Sequence, residues 1–325
     1  MKRETRLWLA VLTLGLFGCN ASGSEYLKAS SQLGGIVAES ARRMPDDMNL
    51  GAAVCLRRAD LDYAQHRLEL PRVSVFEWGT GSDWRTFYGK QPVDDTSSDT
   101  WEAHCKVFEQ ADHLFEKAMA ILGAYGVALT RLSDAGTYDG NDVAGDAKSA
   151  GDLAKALGAS SSVGKDLASV GAPLAEISHL LMQRIVANEV RHFIVAIDPS
   201  VGLALRDLRG YIDAILVELL DERSRVTTLA SSIESKVSRD ADGGADAGRG
   251  PDRLGALAYG YVVHDLAAHG DHAQTIANNL KAVLSDLADA QSKLAATPHA
   301  DLTSFGQVVD AWKKDLFRLE WREWR

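Results

Sequence analysis

The stretch Trp101-Glu-Ala-His-Cys105-Lys-Val-Phe108-Glu-Gln-Ala111-Asp-His-Leu-Phe115-Glu-Lys-Ala118-Met-Ala-Ile-Leu122-Gly-Ala-Tyr125-Gly-Val-Ala-Leu129-Thr-Arg-Leu132 decides the fold. Trp101, Phe108, Phe115, Leu122 and Leu129 recur every seven residues, and Ala111, Ala118, Tyr125 and Leu132 stand three places further on. Positions three and four apart share one face of a helix, so this register predicts a coiled-coil-like apolar seam. Asp99 or Thr100 suits the capping position, which sets the helix between there and about Leu132. A second helix must cover the seam.

The rest of the chain supplies partners. Asp134-Ala-Gly-Thr-Tyr-Asp-Gly-Asn141 breaks the first helix, a short alanine-rich helix runs from Asp142 to about Leu157, and Gly158 to Ser162 turns the chain. From Val163, Leu167, Val170, Leu174, Ile177, Leu181 and Ile185 follow steps of three and four. Pro199 disfavours the helical conformation at Asp198 and predicts a boundary there. Val201, Leu205, Leu208, Ile212, Ile215, Leu219, Val226, Leu229 and Ile233 give a third seam, whose slip at Glu222 and Arg223 reads as charge at a seam edge. Residues 240–251 read as a polar linker. A helix from Asp252 to about Ala296 carries Ile276, Leu280, Val283, Leu287, Ala290 and Leu294, and a last one from Asp301 carries Phe305, Val308, Trp312, Leu316 and Leu319.

The expected fold is mainly α: an elongated antiparallel bundle of long coiled-coil-like helices over 99–325, with a small N-terminal subdomain over 24–98. In that subdomain Leu68 to Trp84 places Val73, Val75 and Trp78 in a short extended pattern, one hairpin or an irregular strand, and Lys90 to Thr100 reads as a surface loop.

The N-terminus opens with Lys2, Arg3 and Arg6, runs apolar from Leu7 to Phe17, and reaches Gly18-Cys19. The apolar run is well short of the ~20 residues a spanning helix needs, so residues 1–18 read as a signal peptide and 19–23 as a tether. Leu16-Phe17-Gly18-Cys19 resembles a bacterial lipobox, with Phe17 in place of the usual small or hydroxylated residue. That resemblance implies cleavage before Cys19 and lipidation of its thiol, with acyl chains such as palmitate. Asn20 resembles the pattern that sorts lipoproteins to the outer membrane. Together with the aromatic-rich helix, the Asp-Gly break near Asp134 to Asp142 and the two seam helices that follow, it makes the chain similar to helical envelope lipoproteins of Gram-negative bacteria, a group that implies no known reaction. The expected address is the cell envelope, anchored by lipid to the outer membrane and facing the periplasm. The expected partners are the bilayer, through the acyl chains on Cys19, and an envelope protein.

Net charge is −10, and −12 without residues 1–18, which hold Lys2, Arg3, Arg6 and Glu4. A polyanion needs a basic face to release its counterions, so nucleic acid is excluded as a partner. The same charge favours solubility and resists self-association. With Cys19 committed to lipid, Cys55 and Cys105 are an even number in an oxidising compartment, either bridged or present as two reduced buried thiols.

Candidate chemistry is sparse. His264, Asp265, His269 and His272 lie at spacings that set His269 and His272 on one helix face, a candidate divalent-metal cluster. The spacing is not His-Glu-x-x-His, and Gly270 weakens the helix, so a solvated polar patch is the plainer reading. Asp240, Asp242 and Asp246 do not make a calcium loop, because the twelfth position from Asp240 is Pro251. There is no Gly-x-Ser-x-Gly elbow and no P-loop. The C-terminal Phe317 to Arg325 mixes arginines with Trp321 and Trp324, which suits either a bilayer interface or the covered end of a last helix.

These readings predict a non-enzymatic interaction or scaffold lipoprotein with no catalytic residues, no cofactor and no committed metal site. One alternative is a small-molecule or metal-binding bundle using His264, His269 and His272; another is a periplasmic hydrolase with its site near Glu77, Trp78 and Asp83.

Overall fold

The computed structural model describes residues 25–44, 50–69, 82–93, 99–133, 137–138, 143–158, 169–183, 185–186, 189–242, 250–296, 307 and 309–310. Those residues are mainly helical and pack as a helical bundle. In chain order the elements are α1 (25–43), α2 (Leu50–Glu69), α3 (Ser82–Lys90), α4 (Trp101–Ser133), β1 (Thr137–Tyr138), α5 (Ala144–Gly158), α6 (Gly171–Met182), β2 (Ile185–Val186), α7 (Val190–Asp242) and α8 (Gly250–Ala296).

The predicted seam helix is α4, and Thr100 caps it: the threonine hydroxyl accepts the Ala103 N–H at 3.3 Å. Trp101, Phe108, Phe115, Leu122 and Leu129 are all buried, as are Ala111, Ala118, Tyr125 and Leu132. A second stripe, Val107, Leu114, Ile121 and Ala128, is buried too. Two buried stripes make α4 a central helix with neighbours on both sides. On one side α1 runs antiparallel to it, with backbones close enough that a Cβ on Gly34 would stand 2.5 Å from the Gly126 carbonyl oxygen and one on Gly126 would stand 2.6 Å from that of Gly34. Glycine is required at this crossing because any side chain would drive the two helices apart.

The longest elements are α7, with 53 residues, and α8, with 47. At ~1.5 Å per residue they reach roughly 80 and 70 Å. They are antiparallel: Arg209 meets Ser285, Asp213 meets Lys281 and Arg223 meets Asp271, one number rising as the other falls. One large apolar cluster takes residues from α1 through α8, and α1 and α2 contribute to it alongside α4 and α7. A smaller cluster joins Leu61 and Ala64 of α2 to Val226, Leu229 and Ile233 of α7 and Val263 of α8.

Several local expectations change. α7 runs through Pro199 instead of starting after it. Proline inside a helix costs about 3 kcal/mol, but Ile194, Ile197, Val201, Ala204 and Leu205 form one buried stripe across it, and continuous packing outweighs the lost hydrogen bond. Gln291 of α8 also donates to the Ile194 carbonyl in the preceding turn, at 3.4 Å. The seam through Leu174, Ile177 and Leu181 ends in α6, and Ile185 lies in β2, paired antiparallel with Tyr138 while Val186 pairs with Thr137. The loop before α4 is tied down by a bridge between Pro92 and Thr100 and buries Val93. At the edges of the expected linker, 240–242 belong to α7 and 250–251 to α8. Pro251 sits in the first turn of α8, where the backbone N–H that proline lacks would have had no helical partner. The extended pattern of 70–81, the middle of the linker at 243–249, and the last helix apart from 307, 309 and 310 lie outside the described residues.

Candidate functional site

The densest group of ionisable side chains sits between α2, α4 and α7. On α7, Glu218, Asp221, Glu222 and Arg225 are spaced three and four apart and share one face. α2 presents Arg57, Arg58 and Asp62 to them. Arg57 Nε reaches Glu222 Oε1 at 2.9 Å. Arg58 Nη1 reaches Glu218 Oε2 at 2.5 Å, and its Nε lies 2.5 Å from Asp221 Oδ2. Arg225 bridges Asp62 at 2.5 Å and Asp221 at 2.8 Å.

α4 closes the group. Trp101 is fully buried with two guanidinium groups over its rings, Arg58 at 5.2 Å and Arg225 at 5.8 Å, and its indole N–H donates to Asp62 Oδ2 at 3.0 Å. Cations stack on an indole face because of its negative quadrupole. His104 Nε2 lies 3.4 Å from Glu218 Oε1. Cys55 and Cys105 are joined by a disulfide with a Cα separation of 5.4 Å. The bridge stands next to Arg57, Arg58 and His104, so it fixes α2 against α4 where the charges converge.

Burial would raise the Glu218 carboxyl, but the hydrogen bonds and charges of His104 and Arg58 outweigh it and hold the group below its ordinary value. Glu222 goes the other way, since its burial exceeds what the Arg57 pair and the charge of His269 recover. Each carboxylate is engaged by a cation or an N–H from another helix. Chemically the group is an interhelical lock, in which removing one partner would strand a buried charge.

A second polar site lies further along α4. The buried Asp112 carboxylate accepts the Ala52 N–H at 2.9 Å and the Gly51 N–H at 3.3 Å, capping α2 from another helix, and accepts the Tyr211 hydroxyl at 2.5 Å. Burial pushes Asp112 up to about 7 against those three hydrogen bonds. A third, between α4 and α8, is the buried pair in which Tyr125 donates to Gln291 Oε1 at 2.6 Å.

The residues singled out from sequence fall elsewhere. His264 and His269 are exposed on α8 and His272 is half-buried, while the Asp265 side chain is outside the described set. Among the described residues no group of three or more His, Cys, Asp or Glu side chains is arranged to hold a metal ion. Cys19, Glu77, Trp78 and the side chains of Asp83, Asp240, Asp242 and Asp246 lie outside the described residues. The charge lock was missed, although one signal for it was legible. Leu208, Ile212, Ile215, Leu219, Glu222, Val226, Leu229 and Ile233 keep the steps of three and four unbroken, so Glu222 occupies a core position of the seam, and it is buried there. The reading of Glu222 as a seam-edge charge is corrected accordingly.

Comparisons of the chain with protein-family models, with characterised proteins and with solved structures find no match. Among the described residues no helix is long and apolar enough to cross a membrane.

Proposed function

We propose that this chain is a lipid-anchored protein of the bacterial envelope, acylated at Cys19, whose helical body works by holding other envelope components and not by transforming a substrate. The observation that carries the anchor is Leu16-Phe17-Gly18-Cys19 behind a charged and then apolar N-terminus. Buried acyl carbons contribute about 0.8 kcal/mol each, so several chains on one thiol attach a protein nearly permanently. Support for the non-enzymatic part comes from the charge lock: its carboxylates pair with arginines of neighbouring helices, which suits a stiff body better than proton transfer.

Labelled palmitate fed to cells expressing the full chain tests the anchor. Label should appear on the wild-type protein and vanish in Cys19→Ser, with the wild type recovered in the outer-membrane fraction. An unlabelled wild-type protein would overturn the anchor. Crosslinking in intact envelopes tests the role, and the absence of any reproducible partner would remove the scaffold reading while leaving the anchor in place.

A further inference from the structure

We infer that the outward face of α7 is a self-complementary surface that docks a second copy of this chain, the two α7 helices crossing antiparallel about a two-fold axis at Gly210. Val201, Leu205, Leu208, Ile212, Ile215 and Leu219 turn this helix toward the core. Opposite them, Ala196, Leu203, Gly210, Val217 and Ser224 recur every seven residues, with Pro199, Arg206, Asp213 and Leu220 between them. Val195, Leu203, Val217 and Leu220 are 48%, 41%, 64% and 56% exposed. These are four of the seven large hydrophobic side chains that are exposed among the described residues, so the apolar exposure is concentrated on this helix.

Gly210 gives an independent argument. A glycine inside a helix costs about 1 kcal/mol relative to alanine. At Gly34, Gly51 and Gly126 the protomer needs it, because a Cβ would strike a neighbouring group. Among the described residues, nothing lies within 4 Å of where a Cβ would stand on Gly210, as is also true of Gly35, Gly145, Gly151 and Gly202, but of these five Gly210 is the one on the exposed stripe, midway between Leu203 and Val217. The protomer does not require this glycine, whereas a helix crossing would, as α1 and α4 do at Gly34 and Gly126.

Charge sets the occupant and the direction. A two-fold axis at Gly210 faces each residue with the one equally far on the other side, so Leu203 meets Val217, while Arg206, four residues before the axis, and Asp213, three residues after it, come level to within ~1.5 Å along the helices, well inside the reach of an arginine side chain. Arg206 pairs through its Nε with Asp207 at 3.3 Å and keeps its side chain 70% exposed, and Asp213 shares its Oδ1 with Lys281 at 2.5 Å while staying half exposed. Symmetry gives two such ion pairs per dimer. A parallel crossing would set arginine on arginine and aspartate on aspartate, which is repulsive. Although the chain carries a net charge of −10, charges away from the contact are screened over about 8 Å at physiological salt, and the stripe itself is neutral.

Full-length chains in native envelopes provide the test. Chains carrying Leu203→Cys and Val217→Cys, differently tagged and expressed together, should join through a short bismaleimide. Leu203→Cys alone should not join to itself, since the two copies of residue 203 would stand ~21 Å apart along the helices. Gly210→Leu should raise the urea midpoint of the protomer, through helix propensity, and weaken the dimer at least about tenfold by sedimentation in mild detergent. Self-crosslinking through residue 203, no crosslink between the Leu203→Cys and Val217→Cys chains, or unchanged dimerisation in Gly210→Leu would each overturn the inference.

Discussion

Tyr211 on α7 donates its hydroxyl hydrogen to the carboxylate of Asp112 on α4 across 2.5 Å, and the same hydroxyl fills the space a Cβ on Gly51 would need. One contact therefore joins three helices. Asp112 receives the first amides of α2, Tyr211 orients the carboxylate, and the missing side chain at Gly51 lets α2 seat against both. A polar residue this deep is tolerated because every lone pair that matters has a donor.

The pair makes a pH prediction. Burial raises Asp112 from 3.8 to about 7, so the folded protein holds a proton there that the unfolded chain has already released. A raised acid stabilises the fold fully below its unfolded value and loses that contribution as pH rises through its folded value. Stability of the wild type relative to Asp112→Asn should therefore fall between pH ~4 and ~7 and then level off, by on the order of 4 kcal/mol in all. Urea titrations of both proteins across that window measure it. A wild type that gains on the asparagine variant as pH rises would show that the anion is the favoured form.

The disulfide makes a second prediction. Cys55 and Cys105 close a loop with a sequence separation of 50. Chain entropy assigns such a closure roughly 4 kcal/mol, through restriction of the unfolded state. Replacing both cysteines with alanine should lower stability by about that amount, and a reducing agent should lower the wild type's urea midpoint while leaving the double variant unmoved. Equal midpoints for the reduced and oxidised wild type would show that the bridge adds nothing.

Seam periodicity carried most of the fold. The α4 stripe, the antiparallel α7 and α8, and the helix bounds near Ser133, Gly158 and Ala296 all follow from apolar spacing, because a long amphipathic helix has one way to hide its stripe. Pro199 misled because a local rule weighs one residue, whereas the helix is held by a row of buried neighbours on both sides of it. The charge lock was hidden for a different reason. Arg57, Arg58 and Asp62 lie about 160 residues from Glu218, Asp221 and Arg225, and only tertiary packing selects which surface-like charges meet. Glu222 alone announced itself, by standing in a slot where its seam otherwise places Leu, Ile or Val.

Glu222 also supports a double-mutant test of what the lock contributes. Arg57 is its nearest cation, with Nε at 2.9 Å and a second contact from Nη2 at 3.4 Å. Arg57→Met leaves a buried carboxylate without that partner, and breaking a buried pair in this way costs about 3–5 kcal/mol. Glu222 already sits above its ordinary carboxyl value, so part of the loss should be recovered at low pH, where the stranded group takes up a proton. Arg57→Met with Glu222→Leu puts an apolar pair in an apolar slot. That double variant should return to within about 1–2 kcal/mol of the wild type or exceed it, because the desolvation of both charges disappears together. Thermal and urea melts of the two single variants and the double variant give the coupling energy. Additive losses would mean that Arg57 and Glu222 stabilise the bundle through separate contacts and that the slot does not set the energetics of the pair.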